Sequence, residues 1–297
     1  MSFSYNVKSE LCRAPLGHRG CVLAECYGIL LYCHTFSPMG IRIVTEHPDF
    51  AARLPKLFKK AFSLEFDEGA DGQESGGKFV FRIHAREKLH RIYDAFDLSA
   101  GENVTLHLNR GILENACCEA SFIRGAFLSG GAAIDPEKRY HLELATTHGK
   151  ICAETYSLLL DLGFSPKDIM RNGQYVLYFK QSDQIEDFLT TVGAAVCAME
   201  IMEAKVEKQM RNKINRVCNC DNANLNKTVD AAMLQLEAIR RLRQRGAYDS
   251  LPGTLKEFAD AREADPHASL AEIAQQLSLS KSAVNHRMRK LMELAKD

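Results

Sequence analysis

The stretch FIRGAFLSGGA at residues 122–132 places an apolar run of helical character directly before two glycines. A related stretch, ECYGILLYCHT, occupies residues 25–35. Its glycine, Gly28, stands 97 positions before Gly125 of the first stretch. Because a constant offset between similar segments indicates an internal duplication, the two stretches predict two copies of one structural unit.

The segments around the two glycines recur in the same order. The corresponding pairs are the strand-like segments 41–46 and 140–147, the helix-like segments 46–62 and 147–164, and the β-rich runs that lead into amphipathic helices at 76–96 and 172–192. Each unit therefore predicts the order helix, strand pair, helix, strand pair, helix. We predict an α+β domain at residues 1–205, with repeat units of about 1–108 and 109–205.

This arrangement resembles the LAGLIDADG homing-endonuclease fold, in which two such units pack through their motif helices. The resemblance implies a close approach of the helices at Gly28 and Gly125. In active members, an acidic residue near the end of each motif helix binds the divalent metal ions that assist phosphodiester cleavage. Alignment on the glycines places Cys33 and Gly130 at these degenerate metal positions, and neither supplies a carboxylate. The resemblance therefore implies a domain without catalytic residues, bound metal or cofactor.

Two other interpretations of this region remain open. The glycines at 130 and 131 also fit an ordinary core helix that ends at a glycine C-cap. Asp135 and Glu137 are acidic residues that a true nuclease with displaced acids would use, although a turn at Asp135-Pro136 also explains them. They have no counterpart after the first motif.

The charge of the chain is balanced as a whole, with 38 basic and 38 acidic residues. From Lys205 onward there are 17 basic and 12 acidic residues. The formal net charge of that part is therefore +5, and that of the preceding part is −5. A basic C-terminal third favours an anionic partner for that part. The acidic, glycine-rich segment 67–78 is typical of a mobile surface loop.

The ten cysteines include no CxxC pair, and the first residues contain no apolar signal segment. We therefore expect a reduced, cytoplasmic protein. The pair Cys218 and Cys220 has no second cysteine or histidine pair at zinc-site spacing, so we predict no metal site. No uncharged apolar stretch reaches the length of a membrane span, and we expect no membrane association.

From about residue 198 the composition changes, and the sequence predicts a helix whose second half is rich in basic residues. Arg211, Lys213 and Arg216 on this helix can contact phosphates, or can belong to a solvated face. The asparagine-rich segment CNCDNANLNK at 218–227 then predicts turns rather than helix. We predict a linker or hinge at 206–226 and a separate all-α domain at 227–297.

The segment SLAEIAQQLSLSKSAVNHRMRKLMELA at 269–295 predicts a helix-turn-helix. Ser269 and Glu272 form a capping box for the first helix, and Ser280 caps the second. Asparagine can read adenine, and arginine or lysine guanine, in the major groove. The residues predicted to contact DNA are Ser280, Lys281, Ser282, Asn285, His286, Arg287, Arg289 and Lys290. An ordinary helical hairpin with a solvated basic face is the alternative.

Two further helices are predicted before this segment, at 224–246 and 254–266. The residues expected to point inward from the first of them are Val229, Met233, Leu236 and Leu242. The last three helices resemble the promoter-reading region of bacterial sigma factors.

The whole chain resembles the WhiA family of bacterial regulators through three stretches. These are FIRGAFLSGGAAIDPEKRYHLEL (122–144), MRNKINRVCNCDNANLNKT (210–228) and SLAEIAQQLSLSKSAVNHRMRKL (269–291). The resemblance implies a non-cleaving, sequence-specific regulator of transcription that binds double-stranded DNA. It further implies a role in sporulation, cell division or chromosome segregation in Gram-positive bacteria, at the nucleoid. The alternatives are an interaction factor that docks on RNA polymerase, another regulator or the division machinery, and a nuclease with displaced acidic residues.

Overall fold

The structure is a computed structural model that describes residues 2–69, 77–98 and 106–296. Most of the predicted surface loop at 67–78 lies outside these residues. The contacts between Cα atoms divide the chain into two units, Met1–Lys208 and Gln209–Asp297, called here the N-terminal and C-terminal domains. Within the described ranges, no helix has both the length and the apolar character needed to cross a membrane.

The N-terminal domain begins with helix α1, Phe3–Arg13, which precedes the two repeats. The first repeat consists of α2 Arg19–Tyr32, β1 Thr35–Ser37, β2 Gly40–Thr45, α3 Pro48–Phe62, β3 Phe79–Ile83 and α4 Arg86–Ala95. The second consists of α5 Ala116–Gly130, β4 Gly131–Ala133, β5 Leu142–Thr146, α6 Gly149–Asp161, β6 Lys167–Arg171, β7 Gln174–Phe179 and α7 Ser182–Val192. This order confirms the predicted repeat, except that the second strand pair of the first repeat is reduced to the single strand β3 among the described residues.

Each repeat contains one antiparallel sheet. The strand order is β1-β2-β3 in the first repeat and β4-β5-β7-β6 in the second. Where β6 lies in the second repeat, the first has an isolated bridge between Glu68 and Arg82 among its described residues. Alternate residues of β2 and β5 are buried, as in a sheet with one face against a core.

The motif helices α2 and α5 lie at the centre of the domain, with 11 of the 14 residues of α2 and 8 of the 15 residues of α5 buried. They approach so closely that a Cβ atom added to Gly28 would lie 2.0 Å from the carbonyl oxygen of Phe122. A Cβ atom on Gly125 would lie 2.1 Å from the carbonyl oxygen of Glu25. The expected contact between the helices at these glycines is therefore confirmed. The helices can approach this closely because neither glycine has a side chain.

The double glycine has a packing role rather than that of a left-handed helix cap. Helix α5 ends at Gly130, and Gly131 has φ −92°, outside the left-handed region that glycine caps adopt. A Cβ atom on Gly130 would lie 2.4 Å from the carbonyl oxygen of Ala145. The chain therefore passes directly from α5 into β4 because neither glycine carries a side chain.

Helix α8, Ala195–Gln244, contains the whole segment predicted as a linker or hinge. The prediction of turns at 218–227 is therefore wrong. The segment contains no glycine or proline, and each asparagine costs a helix only about 0.7 kcal/mol relative to alanine. The Thr228 hydroxyl donates to the carbonyl oxygen of Asn224 at 2.9 Å, a bond that the helical geometry itself provides.

The C-terminal domain packs the end of α8 against α9 Gly253–Ala264, α10 Leu270–Gln276 and α11 Lys281–Leu294. Of the residues predicted to point inward from α8, Leu242 is buried, whereas Met233 is 64% exposed. The prediction for Met233 is wrong because the buried face is offset by one position. The buried residues of this stretch are Ala232, Gln235, Ala238, Ile239 and Leu242.

Candidate DNA interface

The first helix of the helix-turn-helix is fixed at its start by side-chain caps. The Glu272 amide donates to Ser269 Oγ at 3.3 Å, and the Ser269 amide donates to Glu272 Oε2 at 2.6 Å. This reciprocal pair is the predicted capping box. It determines where α10 begins.

The turn between α10 and α11 depends on Ser278, whose φ is +54°. The amide of Leu279 donates back to the carbonyl oxygen of Ala274 at 2.8 Å, and that of Ser278 to Gln275 at 3.2 Å. A left-handed residue between such bonds ends a helix sharply and redirects the chain. Leu277 and Leu279, on either side of Ser278, pack against the core of the domain.

Helix α11 is oriented by its apolar side. Val284 and Leu291 are fully buried, and Met288 packs against the same core as Ile273 of α10. These spacings of four and three place the buried residues on one helical face. The residues between them therefore face away from the core.

The outward face of α11 contains most of the residues predicted to contact DNA. Lys281, Ser282, His286, Arg289 and Lys290 are exposed, and Asn285 is half-buried beside them. Among the described residues, the side chains of Lys281, Asn285, His286, Arg289 and Lys290 make no hydrogen bond or ion pair. This face thus presents positive charge and an amide that no described group of the protein satisfies.

Arg287 differs from the other predicted contacts. Its Nη1 donates to Glu257 Oε2 of α9 at 2.9 Å, and its side chain is only 16% exposed. The guanidinium therefore connects α11 to α9. The structure separates it from the outward face of α11, and a DNA contact by Arg287 stays a prediction.

The start of α11 can accept an anion as well. Ser280 Oγ accepts a hydrogen bond from the Ala283 amide at 3.2 Å, as expected of a cap, and lies 3.0 Å from Ser282 Oγ. The first amides of a helix have no partner within the helix, and the helix dipole places positive potential there. Phosphate oxygens are suitable partners for these amides and hydroxyls.

The basic residues of α8 between positions 205 and 216 fall into two groups. Lys205 forms ion pairs with Asp183 and Glu186, and Lys208 donates to the carbonyl oxygen of Pro136 at 2.6 Å. Arg211, Lys213 and Arg216 are exposed, and their side chains have no partner among the described residues. The last three are the predicted phosphate contacts, and the structure leaves them accessible.

The degenerate metal positions lie at the C-terminal ends of α2 and α5. The Cys33 thiol donates to the carbonyl oxygens of Leu30 and Thr35, each at 3.2 Å, and burial raises its pKa to about 12. At Gly130 there is no space even for a Cβ atom. Divalent ions of the kind used in phosphodiester cleavage require oxygen ligands, and these two positions do not fit such ions.

The fold and site define a protein with a two-repeat LAGLIDADG-like domain followed by a helix-turn-helix domain. The family model described as "WhiA LAGLIDADG-like domain" matches residues 119–211. The model described as "WhiA C-terminal HTH domain" matches residues 214–295. The presence of this second domain suggests DNA binding.

Relatives and a solved structure agree with this assignment. The chain is 39% identical to the "Probable cell division protein WhiA" of Ruminiclostridium cellulolyticum, with 99% of this chain and 97% of the relative covered. It is 36% identical to the protein of the same name from Alkaliphilus oremlandii, with the same coverage. The crystal structure of full-length DUF199/WhiA from Thermatoga maritima has the same fold, with TM-score 0.63, 24% identity, and 100% and 98% of the two chains covered. The chain belongs to the WhiA family.

Proposed function

We propose that this protein is a sequence-specific regulator of transcription that binds double-stranded DNA through helix α11. The observation that supports this most strongly is the outward face of α11. There Asn285 and Arg289 are four positions apart and therefore lie side by side on the helix. An amide and a guanidinium at this spacing can form bidentate contacts with adjacent bases in the major groove.

Exposed basic residues surround this pair and fit a role in phosphate binding. Lys281 lies at the start of α11 and Lys290 toward its end, and neither has an acidic partner among the described residues. Arg211, Lys213 and Arg216 on α8 add further unpaired charge. Each phosphate that such residues neutralise releases counterions and makes the affinity for DNA depend on salt.

We propose that the protein has no nuclease activity. Cys33 donates its thiol to carbonyl groups, and Gly130 has no space for a side chain. The alternative acids, Asp135 and Glu137, form a turn in which the Glu137 amide donates to Asp135 Oδ1 at 2.9 Å. Such a turn explains the two residues without any role in metal binding.

We place this regulation in cell division, the process named for the relatives, with sporulation and chromosome segregation as related processes. Binding to chromosomal DNA would place the protein at the nucleoid in the cytoplasm. The cellular process is a separate question from DNA binding and needs its own test. Depletion of the protein in its own host, with division and chromosome positions followed by microscopy, tests it.

A second role is favoured by the acidic surface of the N-terminal domain. Carboxylates line a hollow of about 410 Å³ there: Asp135, Glu137, Glu200, Glu203 and Glu207. Burial and the neighbouring acids Glu10, Glu203 and Asp135 raise the pKa of Glu200. Because this surface repels phosphates, we propose that the N-terminal domain contacts a protein such as RNA polymerase. This role is supported if the full-length protein captures purified RNA polymerase and the variant Glu203→Lys/Glu207→Lys does not. If the full-length protein captures no RNA polymerase, the role is contradicted.

Binding of the full-length protein to fluorescent genomic fragments at several salt concentrations tests the main proposal. We expect selection of particular fragments and an affinity that falls steeply with salt. Incubation of the same fragments with Mg²⁺ should leave them intact. Equal binding to all fragments would contradict sequence-specific recognition, and cleavage would contradict the absence of nuclease activity.

A further inference from the structure

Four side chains suited to binding a metal ion meet in the N-terminal domain: His18, Cys21, Cys117 and Cys118. His18 Nε2 lies 3.1 Å from Cys21 Sγ and 3.3 Å from Cys117 Sγ. The four candidate ligand atoms all lie within 4.8 Å of one another. One imidazole nitrogen and three sulfur atoms thus surround a common point.

The two motif helices supply these groups from their N-terminal ends. His18 is the N-cap of α2, and Cys21 is the third residue of that helix. Cys117 and Cys118 are the second and third residues of α5. Cys21 and Cys118 are separated by the same 97 positions as the motif glycines. The repeat therefore brings equivalent positions of the two helices together here, at the opposite end from Cys33 and Gly130.

The backbone at Gly17 and Gly20 packs closely against the side chains of the cluster. A Cβ atom on Gly20 would lie 3.1 Å from His18 Cε1 and 3.4 Å from Cys118 Sγ. A Cβ atom on Gly17 would lie 3.1 Å from the Cβ atom of Cys21. Glycine at these two positions lets the segment before α2 fold over the sulfur atoms and deliver the imidazole.

We propose that His18, Cys21, Cys117 and Cys118 bind one thiophilic divalent transition-metal ion of the Zn²⁺ class. Three thiolates and one imidazole form one of the tetrahedral ligand sets of structural zinc sites. In such a site with zinc–sulfur bonds of about 2.3 Å, neighbouring ligand atoms are roughly 3.8 Å apart. The two distances from His18 Nε2, 3.1 and 3.3 Å, are shorter than this value, and no pair of ligand atoms is more than 4.8 Å apart. Side-chain rotations that move the imidazole slightly away from the sulfur atoms would complete the tetrahedron.

The charge of the bound state is compensated locally. Three thiolates and one divalent cation leave a net charge of −1, which the positive ends of the α2 and α5 dipoles stabilise. Each ligating thiol gives its proton to solvent as the metal–sulfur bond forms. His18 and Cys117 are exposed while Cys21 and Cys118 are buried, so the ion has a path from solvent. With four protein ligands, the coordination of the ion is complete, and the ion links the N-terminal ends of α2 and α5.

Cys218 and Cys220 provide the matched contrast. Both are exposed on α8, and residues two positions apart in a helix point to different faces. They add two thiols without a chelating geometry. A variant that lacks them therefore controls for general thiol chemistry.

Titration of the full-length, chelator-treated and reduced protein with Co²⁺ tests the proposal. We expect one Co²⁺ per chain, with the visible bands of tetrahedral cobalt and a charge-transfer band for three thiolates, and displacement by Zn²⁺. Because Cys117 is exposed, Cys117→Ser should fold normally while losing at least about one third of the charge-transfer intensity. His18→Gln should weaken binding and alter the visible bands, whereas Cys218→Ser/Cys220→Ser should match the wild type.

Three results would overturn the proposal. The first is a wild-type spectrum without a thiolate band. The second is Cys117→Ser with the full wild-type spectrum, and the third is a Cys21–Cys117 disulfide as the stable form in reducing buffer. Since all measurements use cobalt binding rather than DNA binding, their outcome is independent of the function proposed for α11.

Discussion

Glu25 and Arg53 form a buried ion pair in which both carboxylate oxygens are bound. Arg53 Nε donates to Glu25 Oε1 at 2.7 Å, and Nη2 donates to Oε2 at 2.9 Å. Their side chains are 3% and 5% exposed. Arg53 Nη1 also donates to the carbonyl oxygens of Cys12 and Ala14. The pair therefore joins α1, α2 and α3 around one guanidinium.

Removal of the Glu25 charge should destabilise the protein strongly. Glu25→Gln leaves the Arg53 cation buried without its counter-charge, which costs about 3 kcal/mol or more. Urea unfolding of the full-length protein measures the change, with the exposed Glu87→Gln as control. A Glu25→Gln variant as stable as the control would show that the pair contributes little.

Alanine at either motif glycine should also destabilise the N-terminal domain. Gly28→Ala and Gly125→Ala force a Cβ atom against the backbone of the facing helix, and overpacking of this kind costs about 3 kcal/mol. Gly253→Ala is the matched control because a Cβ atom there meets nothing within 4 Å. Thermal unfolding compares the three variants. Equal melting temperatures would mean that α2 and α5 can separate freely.

The sequence predicted the repeat because its signals are local. Strand alternation and helix periodicity depend on neighbouring residues, and each motif glycine lies within a short helical pattern that can be compared directly with its copy 97 positions away. The linker prediction failed for the opposite reason, since the preference of asparagine for turns is weaker than the continuity of a long helix. Met233 was misplaced because apolar residues on α8 extend beyond its buried face.

Asp67 should make stability depend on acidic pH. Although burial raises its pKa, hydrogen bonds from Lys88 and from the amides of His84 and Ala85 lower the pKa to about 2. The folded pKa is thus below the unfolded value of about 3.9. The contribution to stability is therefore complete above about pH 4 and is lost as the pH falls to about 2.

Asp67→Asn tests this dependence. Urea midpoints measured from pH 6 down to pH 2 should fall less steeply in the variant than in the wild type. Glu87→Gln, an exposed acid on the neighbouring helix α4, should follow the wild type. Parallel curves for Asp67→Asn and the wild type would refute the role of Asp67.

The turn of the helix-turn-helix can be stabilised at Ser278. A left-handed conformation costs a residue with a Cβ atom roughly 1 kcal/mol, which glycine avoids. Ser278→Gly should therefore raise the free energy of unfolding of the C-terminal domain by about that amount. Ser278→Ala should give no gain because alanine keeps the Cβ atom. Equal effects of both substitutions would contradict this explanation.

The candidate sites differ in how far sequence reveals them. The capping box, the Ser280 cap and the outward face of α11 follow from spacing within one segment. The cluster of His18, Cys21, Cys117 and Cys118 joins residues almost 100 positions apart, and no local spacing indicates it. Its available signal was the pairing of Cys21 with Cys118 at the offset of the motif glycines.

The most direct measurement of the central claim compares a selected DNA fragment with a scrambled one, at fixed salt, for three forms of the full-length protein. In Asn285→Ala/Arg289→Ala, we expect a loss of about 1–3 kcal/mol of discrimination per base contact, while weak salt-sensitive binding remains. Asn222→Ala/Arg245→Ala removes the same chemical groups outside α11 and should preserve wild-type discrimination. If instead the α11 variant discriminates as well as the wild type, helix α11 does not read DNA sequence.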